Sequence, residues 1–365
     1  MIRKILIISL AGIGDFIMAT PTIRALRKAY PKAKIDLLTF PKGTKDVVEG
    51  SEYIDNIFLY YDRKNTMTRK KPSRLKTLKN SLFPLLELRR KNYDVSISVF
   101  PSASNKLALL AKIIGAKKRI GFGSKHYTHP INWDYKNHKI DQNIRLLEPL
   151  GIKVKDKKQF FHIFEENRKF AKEFLKQNKK DQRALIGMHP GSWWKATLKN
   201  WPLENYIELA NKLIIKHNAN ILVVCGPSEE HIGEKIKNSV EKKDKVIVLE
   251  KQTLKNSAAI IAHCDAFVTS DSGVMHVAEV MEVPIILIPG YTLFKFSGVY
   301  KPENKKNIVW ENLNCYEKCP VMWKFEEEFE GRENKIPCGI ECYRNIKPEK
   351  VLKVVQKIIK KSGRK

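Results

Sequence analysis

Apolar residues along this chain fall into short dense runs separated by longer stretches of helical period. The runs at 2–9, 34–39, 54–61, 93–99 and 118–122 are nearly continuous in Ile, Leu, Val and aromatic residues, as strands covered on both faces must be. Between them, segments such as 73–91 and 102–115 carry apolar positions at helical spacing, which makes the first half a βαβ series. The stretch His138–Leu150 sets Ile140, Ile144, Leu147 and Leu150 on one helix face and stops at Gly151, closing a first domain at about residue 152. Residues 153–183, rich in Lys, Glu and Gln around a helix-like 161–174, read as a linker region. A second alternation follows over 184–347, with strands at 184–188, 219–225, 245–249, 265–269 and 284–288 and helices at 203–217, 228–240, 255–263 and 274–282. Residues 348–365 close the chain as a helix and a basic tail, the helix bearing Val351, Val354, Val355, Ile358 and Ile359 on one side for packing. The expected fold is therefore α/β, with two Rossmann-like domains facing a cleft and ligands bound beyond the carboxyl ends of the strands.

Size agrees with two domains, because 365 residues exceed the ~250 at which a single core stops growing. A hydrophobic content of 43%, with 6 Trp, 12 Tyr and 16 Phe, excludes a disordered chain. The opening Met1–Ser9 reads as a buried strand rather than a signal peptide, and no stretch reaches the ~20 apolar residues that span a bilayer. A cytoplasmic protein with at most peripheral membrane contact is expected. The formal charge of +29 favours phosphate-rich partners or anionic membrane surfaces, although lysines spread along the whole chain also fit a plain compositional bias. Cys225 and Cys264 lie in apolar surroundings typical of buried thiols. Cys315, Cys319, Cys338 and Cys342 form two Cys-x3-Cys pairs that suit a metal site and disulfides equally well.

Four strand-to-helix loops carry candidate chemistry. The first, Leu10-Ala-Gly-Ile-Gly14-Asp15, lacks the third glycine of a dinucleotide fingerprint and sets a carboxylate where pyrophosphate would lie. A helix amino terminus favours the ionised carboxylate by ~0.3–1 kcal/mol, so Asp15 is either a base in the loop or the cap of the following helix. Thr20-Pro21 supplies a cap and first-turn pair of its own, which would leave Asp15 in the loop. The second loop runs from His189-Pro-Gly-Ser192 to Lys199-Asn-Trp201-Pro202, offering Gly-Ser donors and lysines to a diphosphate, or merely an exposed basic loop. In the third, Cys225-Gly226-Pro-Ser-Glu229, a carboxylate at a strand end can accept both ribose hydroxyls or simply sit at a helix start. The fourth, Thr269-Ser270-Asp271-Ser272-Gly273-Val-Met-His276, opens a helix whose amino end suits an anion, with His276 one turn in.

Together these loops resemble the ADP-heptose:lipopolysaccharide heptosyltransferases of glycosyltransferase family 9, inverting enzymes of the GT-B fold. The resemblance covers nearly the whole chain and is carried by Gly14-Asp15 with Thr20–Arg27, His189–Ser192 with Lys199–Pro202, Gly226–Glu229, and Asp271–His276. It implies a glycosyltransferase that moves a heptose or related sugar from ADP-heptose to a lipopolysaccharide core. Asp15 would act as general base and Lys199 as the cation on the departing diphosphate. Gly14, Ser192, Glu229, Asp271, Ser272, Gly273 and His276 would line the donor site. The Trp193–Leu198 insert leaves Lys195 as a rival to Lys199.

No cofactor is expected, and no Asp-x-Asp lies in a plausible site, in keeping with metal-independent transfer in which donors and a helix end meet the leaving charge. The basic block 63–79 holds eight Lys or Arg and no acid, which fits a phosphorylated glycolipid acceptor at an anionic membrane, on the cytoplasmic face of the inner membrane. Arg63, Lys64 and, less directly, Arg119 are its candidate acceptor ligands, although a solvated basic loop reads the same way. Two other readings stay open: transfer from another nucleotide diphosphate sugar, and nucleic-acid binding, which the charge permits but no nucleic-acid module supports.

Overall fold

The structure, a computed structural model, describes residues 1–41, 43–61, 83–99, 105–134, 136–191, 200–227, 229–289, 294–310 and 345–361. The chain divides into two compact units, Met1–His162 and Ile163–Lys365.

In the first unit, strands β1 (Lys4–Ser9), β2 (Lys34–Thr39), β3 (Asn56–Leu59), β4 (Val95–Ser98), β5 (Lys118–Phe122) and β6 (His129–Ile131) form one sheet in the order β3-β2-β1-β4-β5-β6. Every pairing is parallel, which is why β1 carries the unbroken apolar run Ile5–Ile8, all fully buried. Helices α1 (Ile13–Ala29), α2 (Thr44–Val48), α3 (83–90), α4 (Asn105–Ile114) and α5 (Lys139–Arg145) connect or flank these strands. Strand β6 was not evident from sequence: it is three residues long, contains Pro130 and lies at the sheet edge, where the missing N–H costs no central ladder bond.

Helix α1 corrects one expectation. It begins at Ile13, with Gly12 as its N-cap, and carries Pro21 in its interior rather than at its start. A proline there leaves the carbonyl four residues back without its amide donor. The Thr20 hydroxyl fills that role by donating to the Ile17 carbonyl at 2.7 Å, and it accepts the Phe160 amide at 3.0 Å. Burial of Phe16, Ile17, Ile23 and Leu26 on the sheet then outweighs the proline's cost.

The segment read as linker divides between the units. Asp156 and the Lys158 carbonyl bind Arg24 of α1, and the His162 amide donates to the Val47 carbonyl, so residues 156–162 run along the first unit. Helix α6 (Glu165–Asn178) belongs to the second unit, where it packs on α9 (Leu254–Ile261).

The second sheet joins β7 (Leu185–His189), β8 (Asn220–Val224), β9 (Val246–Leu249), β10 (Ala266–Thr269) and β11 (Ile285–Leu287) in the order β11-β10-β7-β8-β9, again all parallel. Helices α7 (Leu203–His217), α8 (Glu230–Ser239) and α10 (Gly273–Val280) join its strands together with α9. Two short helices, α11 (Phe294–Ser297) and α12 (Pro302–Lys305), follow β11. The last helix, α13 (Pro348–Lys361), lays Val351, Leu352, Val355 and Ile359 into the core formed by α7 and the sheet. Trp201, fully buried, stacks edge-on to Tyr206 and donates its indole N–H to the Ile346 carbonyl at 2.8 Å. Among the described residues no helix is long and apolar enough to cross a membrane.

Candidate functional site

Each sheet has one point where the winding reverses, and a crevice opens there beyond the strand ends. In the first unit it lies between β1 and β4, and Asp15 follows β1 directly, in the first turn of α1. Gly14 is buried beside it. The Asp15 carboxylate, 28% exposed, receives the Lys139 ammonium on Oδ1 at 2.9 Å. Lys139 opens α5, whose N-cap is His138 with Nδ1 accepting the Ile140 amide, and α5 packs on α1. The amino end of α1 and this lysine both bring positive charge to the carboxylate. No sequence spacing pointed to Lys139, because the contact spans 124 residues.

Arg119 sits low in β5, level with Ser96 and so with Leu6 of β1. Its guanidinium donates to the Ala116 carbonyl at 3.0 Å and the His126 carbonyl at 3.3 Å, bracing the β5–β6 connection. Arg63 and Lys64 lie outside the described residues.

In the second unit the reversal lies between β7 and β10, whose last residues His189 and Thr269 are in register. The loops after these two strands are therefore neighbours, with the loop after β8 on the other side of β7. Glu229, at the start of α8, accepts the Gly226 amide on Oε2 at 2.7 Å. Gly191 meets the same carboxylate so closely that a Cβ there would stand 2.3 Å from Oε2, so a larger residue would displace the Glu229 side chain. The β7 and β8 loops thus meet at one acid. His189 beneath them is buried and bonds the Val224 carbonyl through Nδ1 at 2.9 Å; burial pushes its pKa down, with Glu229 pulling the other way. The buried Tyr206 hydroxyl donates to the His189 carbonyl at 3.3 Å and also meets Ser270, joining the β7 and β10 loops from below.

Ser272 caps α10, its hydroxyl accepting the Met275 amide at 3.3 Å, and Gly273 is the first residue of that helix. The helix presents its amino end at the crevice, with His276 buried one turn in. Asp271 accepts the Ser297 hydroxyl at 3.1 Å. Farther along α10, fully buried Glu279 accepts the amides of Tyr300 and Lys301 and the Asn304 side chain, while Asn304 accepts the Ile285 amide of β11. Residues 297–304 therefore strap α10 at both ends. Sequence reading passed over Glu279 and took Tyr206 only as a residue of its helix, because their partners lie in other loops. Ser192, Lys195 and Lys199 lie outside the described residues, as do Cys315, Cys319, Cys338 and Cys342. Cys225 and Cys264 are free thiols; burial raises both pKa values, that of Cys225 to about 12.

The sequence profile of glycosyltransferase family 9 (heptosyltransferase) matches residues 85–327. The chain belongs to glycosyltransferase family 9. Its two parallel-sheet units are the halves of a GT-B fold, as in a solved family 9 glycosyltransferase from Veillonella parvula, which matches with a TM-score of 0.79 at 26% identity over 98% of both chains. The Escherichia coli ADP-heptose lipopolysaccharide heptosyltransferase II has the same fold, with a TM-score of 0.73 at 19% identity over 99% of this chain and 100% of that one. The lipooligosaccharide heptosyltransferase 2 of Campylobacter jejuni is 24% identical over 356 residues, 95% of this chain and 96% of its own length. In this family 9 glycosyltransferase the profile begins within α3 and takes in β4 to β6 of the first unit together with every strand of the second.

Proposed function

We propose that this glycosyltransferase moves a heptose from ADP-heptose to a lipopolysaccharide core acceptor in one in-line displacement with inversion. The names of its relatives support the donor and acceptor classes. The observation that carries the chemistry is the Asp15 carboxylate at the β1–β4 reversal, one oxygen held by Lys139 and the other left for a hydroxyl. The acceptor oxygen attacks the anomeric carbon, its proton passes to Asp15, and the bond from that carbon to the diphosphate breaks.

The second unit meets the donor. Glu229, with one oxygen on the Gly226 amide, offers the other to the ribose. The amino end of α10 at Ser272 and Gly273, with Asp271 and His276, receives diphosphate and sugar. Ser192 and Lys199 complete this set, Lys199 meeting the charge that develops on ADP. Trp201, pinned to Ile346, anchors the far end of the loop that carries them. Arg63 and Lys64 take the acceptor's phosphates, and a glycolipid acceptor places the enzyme at the cytoplasmic face of the inner membrane.

Replacing Asp15 by Asn removes the base while keeping its shape. Transfer falls by roughly 10²- to 10⁴-fold, and ADP affinity by calorimetry stays at the wild-type value. Wild-type turnover by Asp15→Asn would overturn the assignment.

A further inference from the structure

Seven large apolar side chains stand exposed among the described residues, and four of them share two helices of the first unit: Phe83 at 66% and Leu86 at 45% on α3, Leu109 at 48% and Ile113 at 38% on α4. The two helices adjoin. Leu85 and Leu88 of α3 and Leu107 and Ile114 of α4 enter one core cluster, and the Arg89 guanidinium donates to the Ile113 carbonyl at 2.5 Å. With their inner sides committed to the sheet, their outer sides form one surface. Leu109 and Ile113, four apart, stand one above the other on it, and Phe83 and Leu86 are likewise a turn apart.

The charge around these residues is predominantly positive. Arg90, Lys106, Lys112 and Lys118 are exposed on the two helices and at the exit of α4, and Glu87 is the one exposed acid on them. In sequence the block 63–79, with eight basic residues and no acid, leads into α3. Both helices run back against the parallel strands, so each starts at the carboxyl edge of the sheet, the edge from which the Asp15 loop springs.

We propose that the outer face of α3 and α4 docks this enzyme on an anionic lipid bilayer, with Phe83, Leu86, Leu109 and Ile113 entering the headgroup–acyl boundary. An apolar patch rimmed by lysine and arginine matches that boundary in both respects: the apolar side chains leave water, and the cations meet lipid phosphates. Docking there holds the Asp15 edge of the first unit close to the surface that carries a glycolipid. The inference rests on the proposed acceptor only for this last consequence, because bilayer binding is measured without the transfer reaction.

The test is flotation of the full-length protein with vesicles of phosphatidylethanolamine and phosphatidylglycerol, compared with phosphatidylcholine vesicles. The wild-type protein floats with the anionic vesicles. The Leu109→Glu/Ile113→Glu pair weakens partition by about ten-fold, whereas Phe170→Glu/Ile215→Glu, which adds the same charge at two exposed apolar positions of the second unit, leaves it unchanged. Wild-type circular dichroism and thermal unfolding show that both pairs are folded, and Arg90→Glu/Lys112→Glu, which changes the basic rim without touching the apolar residues, weakens partition into the anionic vesicles as well. Equal losses in the two double-glutamate pairs, or no flotation of the wild type, would overturn the proposal. So would a wild-type dimer in sedimentation that Leu109→Glu/Ile113→Glu dissolves without altering flotation, since the face would then join two copies.

Discussion

At the scale of single residues, the first unit presents one acid with one of its oxygens already taken. Lys139 binds Asp15 Oδ1 from a helix that itself packs on α1. The contact fixes the carboxylate and leaves its second oxygen for a hydroxyl, which makes Lys139 a positioning residue for the proposed base. Lys139→Met should lower kcat by ~10- to 100-fold, the usual cost of a misplaced catalytic group, with the KM for the donor little changed. Lys139→Arg should recover most of the loss, and steady-state kinetics on the two variants separates positioning from a general loss of structure. The motif around Asp15 was legible in sequence because a glycine turn and an acid after an apolar strand are local. Lys139 was not, since only the packing of α5 on α1 joins residues so far apart in the chain.

At the scale of elements, one device recurs at three strand starts. Asp55, Asp94 and Asp265 each directly precede a strand, and each exchanges two bonds with a residue at the start of the neighbouring strand, the second of β2 and the first of β1 and of β7. The Asp55 amide donates to the Ile35 carbonyl while its carboxylate accepts the Ile35 amide; Asp94 does the same with Lys4 and Asp265 with Leu185. An amide at the start of a parallel strand would otherwise lack a partner, and the side chain supplies it. For Asp94 the Arg3 amide, opposed by burial and joined by Lys117 and the Lys4 amide, lowers the pKa to about 2. A lowered acid pKa gives stability that is full above the unfolded value and is lost as pH falls through the folded one. The stability gap between wild type and Asp94→Asn should therefore be constant above about pH 4 and close as the pH falls towards 2; denaturant titrations along that range read it directly, and a pH-independent gap would refute it.

Elements also mark where local signals misled. Thr20-Pro21 carries a helix-start signature, yet α1 runs through it because the Thr20 hydroxyl replaces the donor that proline lacks. Strand β6 has too few residues to show a period and owes its existence to β5 beside it. The main strands and helices, by contrast, agree closely with their apolar runs, because a strand buried on both faces has no polar alternative.

At the scale of the molecule, two units with separate cores share one chain, and the loops proposed to hold the donor, Gly14 apart, belong to residues 163–365. A ligand that binds the folded state stabilises it by mass action, about 2.7 kcal/mol at a hundred times its Kd. Scanning calorimetry with ADP should raise the transition of the second unit more than UDP or GDP does, and Glu229→Ala should remove most of that rise. Absence of any ADP shift in the wild type would count against the donor reading rather than against the fold.

The amino-acid order alone determined the alternation of strands and helices, the doubling of the α/β pattern and the loops rich in chemistry, since burial and turn formation act over a few neighbouring residues. Tertiary structure decided the rest. Strand order put the loops after β7 and β10 side by side, packing brought Lys139 to Asp15 and Gly191 to Glu229, and the Glu279 strap secured α10. Those contacts join distant positions, and their free energy exists only once both partners are already held by the sheets.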